Sequence, residues 1–318
     1  MGIQELPRYT WGFKEVKTPA MWKAVIGEVV GTAILLFTHC QLTLRWPRFP
    51  EDGNIVQNAL GTGFTVASII EGFGHLSRAV VNPAITLSFI IARKVSLTRG
   101  FFFIIAQLAG GIGGTALSYV VTPADRLGNF GAVFVHPDIS MWQGFLMETC
   151  LTFMLAFVNL AAIDDRLRPV NMPSVAVGLL VCVMVFTGAT QTGACMNPAV
   201  AMGPHVVLNL DWMWAQHWLY WAAPFTGSAI ATVMYMFFFT WGVESKDFPA
   251  VDGDDEAREA REELLSEIMD AVSSTYKQHQ VKMRNKATGK GNIQDQESNL
   301  GPSFTQLQDM NSFHTKAN

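Results

Sequence analysis

Val80-Val81-Asn82-Pro83-Ala84-Ile85-Thr86-Leu87-Ser88-Phe89 and Cys195-Met196-Asn197-Pro198-Ala199-Val200-Ala201-Met202-Gly203-Pro204 share one tripeptide, Asn-Pro-Ala, repeated 115 positions apart. Asn is a favoured N-cap, and Pro suits the first helical position because its missing N–H would have no partner there. Each tripeptide therefore reads as a helix start. The apolar run after the first, from Ile85 to Ala92, gives about two turns, roughly 12 Å, where a hydrocarbon core needs roughly 30 Å. Two such stubs entering from opposite faces would meet tip to tip near the midplane, each presenting free N–H groups and the positive end of its dipole.

The composition places these stubs in a membrane. Of the 318 residues 50% are hydrophobic and 15% charged, with the charges gathered in connections and in the last quarter of the chain. The net charge of -4 includes no basic face of the kind nucleic acid requires. The first twenty residues, with Trp11, Lys14, Glu15 and Lys17, contain no apolar core of a removable signal. Six stretches are long enough to span: about 22–43, 55–74, 100–121, 141–163, 171–190 and 215–241. Lys and Arg cluster before the first span (Arg8, Lys14, Lys17, Lys23), after the first stub (Arg93, Lys94, Arg99) and between spans four and five (Arg166, Arg168). The opposite connections hold Arg45, Arg48 and Arg126. By the positive-inside rule both termini are cytoplasmic, and the plasma membrane is the default location.

The chain also repeats itself. Glu28, Thr32, Leu35 and Phe37 in span one match Glu148, Thr152, Leu155 and Phe157 in span four, and Gly111 to Tyr119 match Gly227 to Tyr235 in spans three and six. Three spans per half is an odd number, so the second half enters from the other side. The predicted fold is thus an all-α membrane protein of six transmembrane helices and two re-entrant half-helices, an inverted repeat with its site between the halves. The domains expected are a cytoplasmic segment at 1–20, a channel domain at 21–242 with repeats near 21–121 and 141–242, and a cytoplasmic tail at 243–318. Small residues four apart (Gly27 and Gly31; Gly110 and Gly114; Ala223, Gly227 and Ala231) predict close helix contacts.

The two Asn-Pro-Ala boxes, the paired glutamates, the loops 74–87 and 192–204 and the run 104–114 resemble the aquaporin (major intrinsic protein) family over roughly residues 20–242. The resemblance implies an hourglass fold and a homotetramer in which each protomer holds its own pore. It implies that Asn82, Pro83, Ala84, Asn197, Pro198 and Ala199 form the pore midplane. Backbone carbonyls of Arg78, Ala79, Val80, Gly193, Ala194 and Cys195 are expected to line the lumen, and Glu28 and Glu148 to buttress the loops. Counted from the boxes, the outer selectivity filter falls on Thr62, Val185, Ala194 and Val200.

That filter departs from the family pattern. Water-selective members carry an aromatic, a His, a small residue and an Arg there, whereas this chain has valines in place of the His and the Arg. The opening should be wider and more apolar, favouring water together with glycerol or urea as permeants in a lipid bilayer. A water-selective channel and a cation-leaky channel on the same fold stay open, as does a closed-pore adhesive tetramer. The short distance between the boxes and Tyr220-Trp221 are similar to water-channel members, and the combination resembles insect glycerol-permeable ones.

No cofactor, metal site or enzyme chemistry is indicated. The cysteines Cys40, Cys150, Cys182 and Cys195 have no metal-ligand spacing and read as small buried residues, with Cys195 near enough to the pore to suggest mercurial block. His39 and His75 read as packing or loop residues. In the tail, Leu264, Leu265, Ile268, Met269 and Val272 share one helical face, which predicts a short helix near 255–276. That face would suit a cytoplasmic partner of the tail as well as it would suit a solvated end.

Overall fold

A computed structural model describes residues 10–46, 55–164 and 172–239. The tail from 243 onward, with its expected helix near 255–276, lies outside the described residues, as does Arg8.

The described chain is helical: α1 (Pro19–Leu42), α2 (Ile55–Ser77), α3 (Pro83–Ile91), α4 (Leu97–Val121), α5 (Met141–Ala162), α6 (Pro173–Thr192), α7 (Pro198–Leu208), α8 (Asp211–His217) and α9 (Leu219–Phe239). Five segments are both long and apolar enough to cross a membrane: α1, α4, α5, α6 and α8 with α9. At 23 residues α2 is long enough but less apolar, because Asn58 and Thr62 lie on its lumen-facing stripe and Glu71 bonds Ser174 of α6 at 2.8 Å. The sixth span, expected as one helix over 215–241, has a turn at Trp218 between α8 and α9.

Packing follows the inverted repeat. Helix α1 packs on α4 as α5 packs on α9, α2 and α6 pair across the centre, and each half-helix crosses over, α3 onto α9 and α7 onto α4. The close pairs depend on missing side chains. A Cβ on Gly114 would collide with the carbonyl oxygen of Ala33, and one on Gly227 with that of Thr149. In lipid, where burial of apolar surface gives no advantage, such backbone approach supplies the packing energy.

Burial departs from expectation at one cysteine. Cys40, Cys182 and Cys195 are buried, but Cys150 is exposed on the outside of α5. The bilayer is as apolar as a core, so a thiol facing outward there carries no penalty. At the N-terminus, Gly12–Thr18 folds against the start of α4: Glu15 is buried and accepts from Arg99 Nε at 2.7 Å, and Leu97 N donates to Thr10 O at 3.2 Å.

Candidate pore and selectivity site

Each half-helix starts as its tripeptide dictates. Asn82 Oδ1 accepts the Ala84 N–H at 2.8 Å, and Asn197 Oδ1 accepts the Ala199 N–H at 3.0 Å. The other end of each amide crosses between the repeats. Asn82 Nδ2 donates to Met196 O at 3.0 Å and Asn197 Nδ2 to Val81 O at 2.9 Å, so the tips are tied to each other's loops. An amide nitrogen has two hydrogens, and one on each Asn is left after this bond.

The loops before the boxes are extended and strained in the same way. Left-handed φ values occur at Arg78 (66°), Ala79 (48°) and Val81 (42°), and at Gly193 (88°), Ala194 (49°) and Met196 (52°). A β-branched residue such as Val81 rarely adopts this conformation and needs surroundings that hold it. The glutamates supply them. Glu28 accepts from Val80 N (3.0 Å), Val81 N (2.7 Å), Ser77 Oγ (2.5 Å) and Gln107 Nε2 (2.7 Å). Glu148 accepts from Cys195 N (2.9 Å), Met196 N (2.7 Å) and Thr192 Oγ1 (2.6 Å).

Those bonds also aim the carbonyls. In a trans peptide the C=O points opposite to the N–H of the same plane. The N–H groups of Ala79, Val80 and Val81 turn to Ser77 and Glu28, so the carbonyls of Arg78, Ala79 and Val80 turn away from that buttress. The same reasoning applies to Gly193, Ala194 and Cys195, whose following N–H groups bond Thr192 and Glu148. The Arg78 side chain itself is exposed.

One lumen joins these parts. Its wall includes Asn82, Asn197, Ala79, Val80, Gly193 and Cys195, together with Thr62, Val185, Ala194 and Val200, the four positions counted from the boxes. Pro83, Ala84, Pro198 and Ala199 are buried behind the tips, where they begin the helices. The Cys195 thiol contacts Asn197 O at 3.1 Å. Sequence reasoning missed two groups. Gln107, on α4, bonds both Glu28 and Thr86, and the polar residues His39, Asn58 and Asn159 also wall the lumen. The available signal was helical spacing: Asn58 precedes Thr62 by four, as His39 follows Leu35 and Asn159 follows Leu155.

The family model described as "Major intrinsic protein" matches residues 15–235. The chain belongs to the major intrinsic protein family. Members of that family are passive channels and not enzymes, and this one is an integral, multi-pass membrane channel for water and small solutes. Among curated members, mouse Aquaporin-4 is 35% identical over 237 residues, covering 74% of this chain and 72% of that protein. Human Aquaporin-5 is 35% identical over 225 residues, covering 70% and 83%. Among solved structures of the fold, the aquaglyceroporin from Plasmodium falciparum superposes with a TM-score of 0.62 at 23% identity, covering 69% of this chain and 96% of that one.

Proposed function

We propose that this major intrinsic protein passes water and small uncharged solutes, glycerol and urea among them, through a filter formed by Thr62, Val185, Ala194 and Val200. The observation carrying the reading is that Val185 and Val200 wall the same lumen as Asn82 and Asn197, so neither ring nor cation stands at those two positions. A wall that offers methyl groups tolerates the carbon skeleton of a polyol. At the midplane, the remaining amide hydrogens of Asn82 and Asn197 donate to the solute oxygen, while the two helix N-termini oppose cations. Four protomers assemble, each with its own pore, in the plasma membrane with both termini cytoplasmic.

Stopped-flow swelling of proteoliposomes in water, glycerol and urea gradients tests this. The wild type is expected to pass all three. The double variant Val185→His, Val200→Arg should lose glycerol and urea flux by about tenfold or more while still conducting water, since the added ring and guanidinium refill the constriction. A wild type impermeable to glycerol and urea overturns the reading. The missing cation at position 200 favours one competing reading, a cation leak, and a shifted reversal potential in expressing oocytes would establish it.

A further inference from the structure

We propose that His39 and Asn58, together with the filter position Thr62, form a solute-binding station at the end of the lumen where α1 gives way to α2, and that a hydroxyl- or amide-bearing solute exchanges its water there. The inference rests on the reading that such solutes cross this lumen.

All three side chains wall the lumen, from α1 and α2. His39 Nε2 lies 3.0 Å from Gly131 O, and a carbonyl only accepts, so the proton is on Nε2 and Nδ1 is left as an acceptor. The connection between α4 and α5 is shaped for this contact. Gly131 has φ 73°, and a Cβ there would stand 2.9 Å from His39 Cδ2 and 3.1 Å from Nε2, so a side chain at 131 would push the ring away. On α2, the Thr62 hydroxyl donates to Asn58 Oδ1 at 3.2 Å. That bond spends the threonine proton and one of the two lone pairs of the amide oxygen. It leaves Asn58 Nδ2 as a donor and the Thr62 oxygen as an acceptor.

The lumen wall therefore carries, from α1, the acceptor His39 Nδ1 and, from α2, the acceptor Thr62 Oγ1 next to the donor Asn58 Nδ2. A vicinal diol or a urea-like amide carries both complements on adjacent atoms, and such a solute recovers there the hydrogen bonds it loses in leaving water. Val185, Ala194 and Val200 offer no side-chain replacement, so the station, Thr62 included, supplies polar selectivity that the valines do not provide.

The test compares glycerol, urea and water permeabilities of full-length wild type, His39→Leu, Asn58→Leu and His39→Gln in proteoliposomes. Either leucine variant should lower the solute-to-water permeability ratio about fivefold, the equivalent of one lost hydrogen bond, and His39→Gln, which keeps an acceptor, should recover most of it. Water flux reports that each channel is folded, and Asn58→Leu carries the test if His39→Leu does not fold. Ratios unchanged in both leucine variants overturn the station, and so does a glutamine variant as low as leucine, which would mean that His39 only packs. A wild type that passes water alone removes the proposed solutes and the station together; a permeable wild type with unmoved variants removes the station alone.

Discussion

The two pore loops, 77–84 and 192–199, agree in every bond that fixes the midplane and differ in what stands behind them. In front, each box caps its own half-helix and ties to the opposite loop, and each glutamate collects two successive backbone N–H groups. Behind, α3 is joined to α9 by hydroxyls, Ser228 Oγ to Ala84 O and Ser88 to Thr232 at 2.7 Å. Helix α7 is instead nested on α4 through Gly111 and Gly203, where backbones nearly touch. The duplicated half is the part geometry demands twice: two tips can meet only if both loops hold the same strained path. The rear of each loop is under no such demand, and there the two differ.

The largest expected effect comes from removing what the loops share. Glu148→Gln turns one carboxylate oxygen into an amide nitrogen that cannot accept from a backbone N–H, and Glu28→Gln does the same in the first repeat. With hydrogen bonds to charged groups at about 1.5–3 kcal/mol each, either change should lower the melting temperature in detergent on the order of 10 °C and reduce water flux per channel. Equal losses support the equivalence of the two loops. A much smaller loss in Glu28→Gln would mean that Gln107, which touches Glu28 at 2.7 Å and has no counterpart at Ala223, rescues the first loop by rotating its own amide.

Next in size is the packing that holds the repeats. Gly114→Ala places a methyl on the carbonyl of Ala33, and Gly227→Ala places one on that of Thr149. Overpacking of this kind costs about 1–3 kcal/mol, so each should melt lower by roughly 2–10 °C. Gly113→Ala, which meets nothing within 4 Å, is the control and should be neutral or slightly stabilising. Similar losses at 114 and 227 would extend the two-fold likeness from the loops to the helix pairs, whereas a loss at only one would confine it to the midplane.

Local rules made the front of the site legible from sequence. An Asn-Pro start, an apolar run too short to span and a glutamate at the same register in spans one and four each need only a few residues to be read. The contacts behind the loops depend on which face of a distant helix turns inward, and nothing near Gln107 or Tyr220 in the chain states that. His39 and Asn58 were obscured for the same reason: their spacing marks a stripe, but only packing shows that the stripe borders the lumen. The turn at Trp218 and the outward thiol of Cys150 were missed because hydropathy averages over a segment and does not register one residue's direction.

The smallest effects should come from the unshared rear contacts, and they decide how far the likeness of the fronts depends on them. Tyr220 donates to Thr192 O at 2.9 Å from α9, and Gln107 donates to Glu28 Oε2 and to Thr86 from α4. Tyr220→Phe removes one neutral bond and keeps the ring, so about 1 kcal/mol and a shift of roughly 2–4 °C are expected. Gln107→Leu removes the bonds to both Glu28 and Thr86 and should shift the melt further, yet Glu28 keeps its backbone donors, so the strained loop is still held. Water flux per channel should stay within about twofold in both, because neither side chain walls the lumen and the carbonyl directions are set by the glutamates. If Gln107→Leu instead closed the channel with its melting temperature unchanged, the first loop's path would be set from behind. The two loops would then reach one geometry by two different supports.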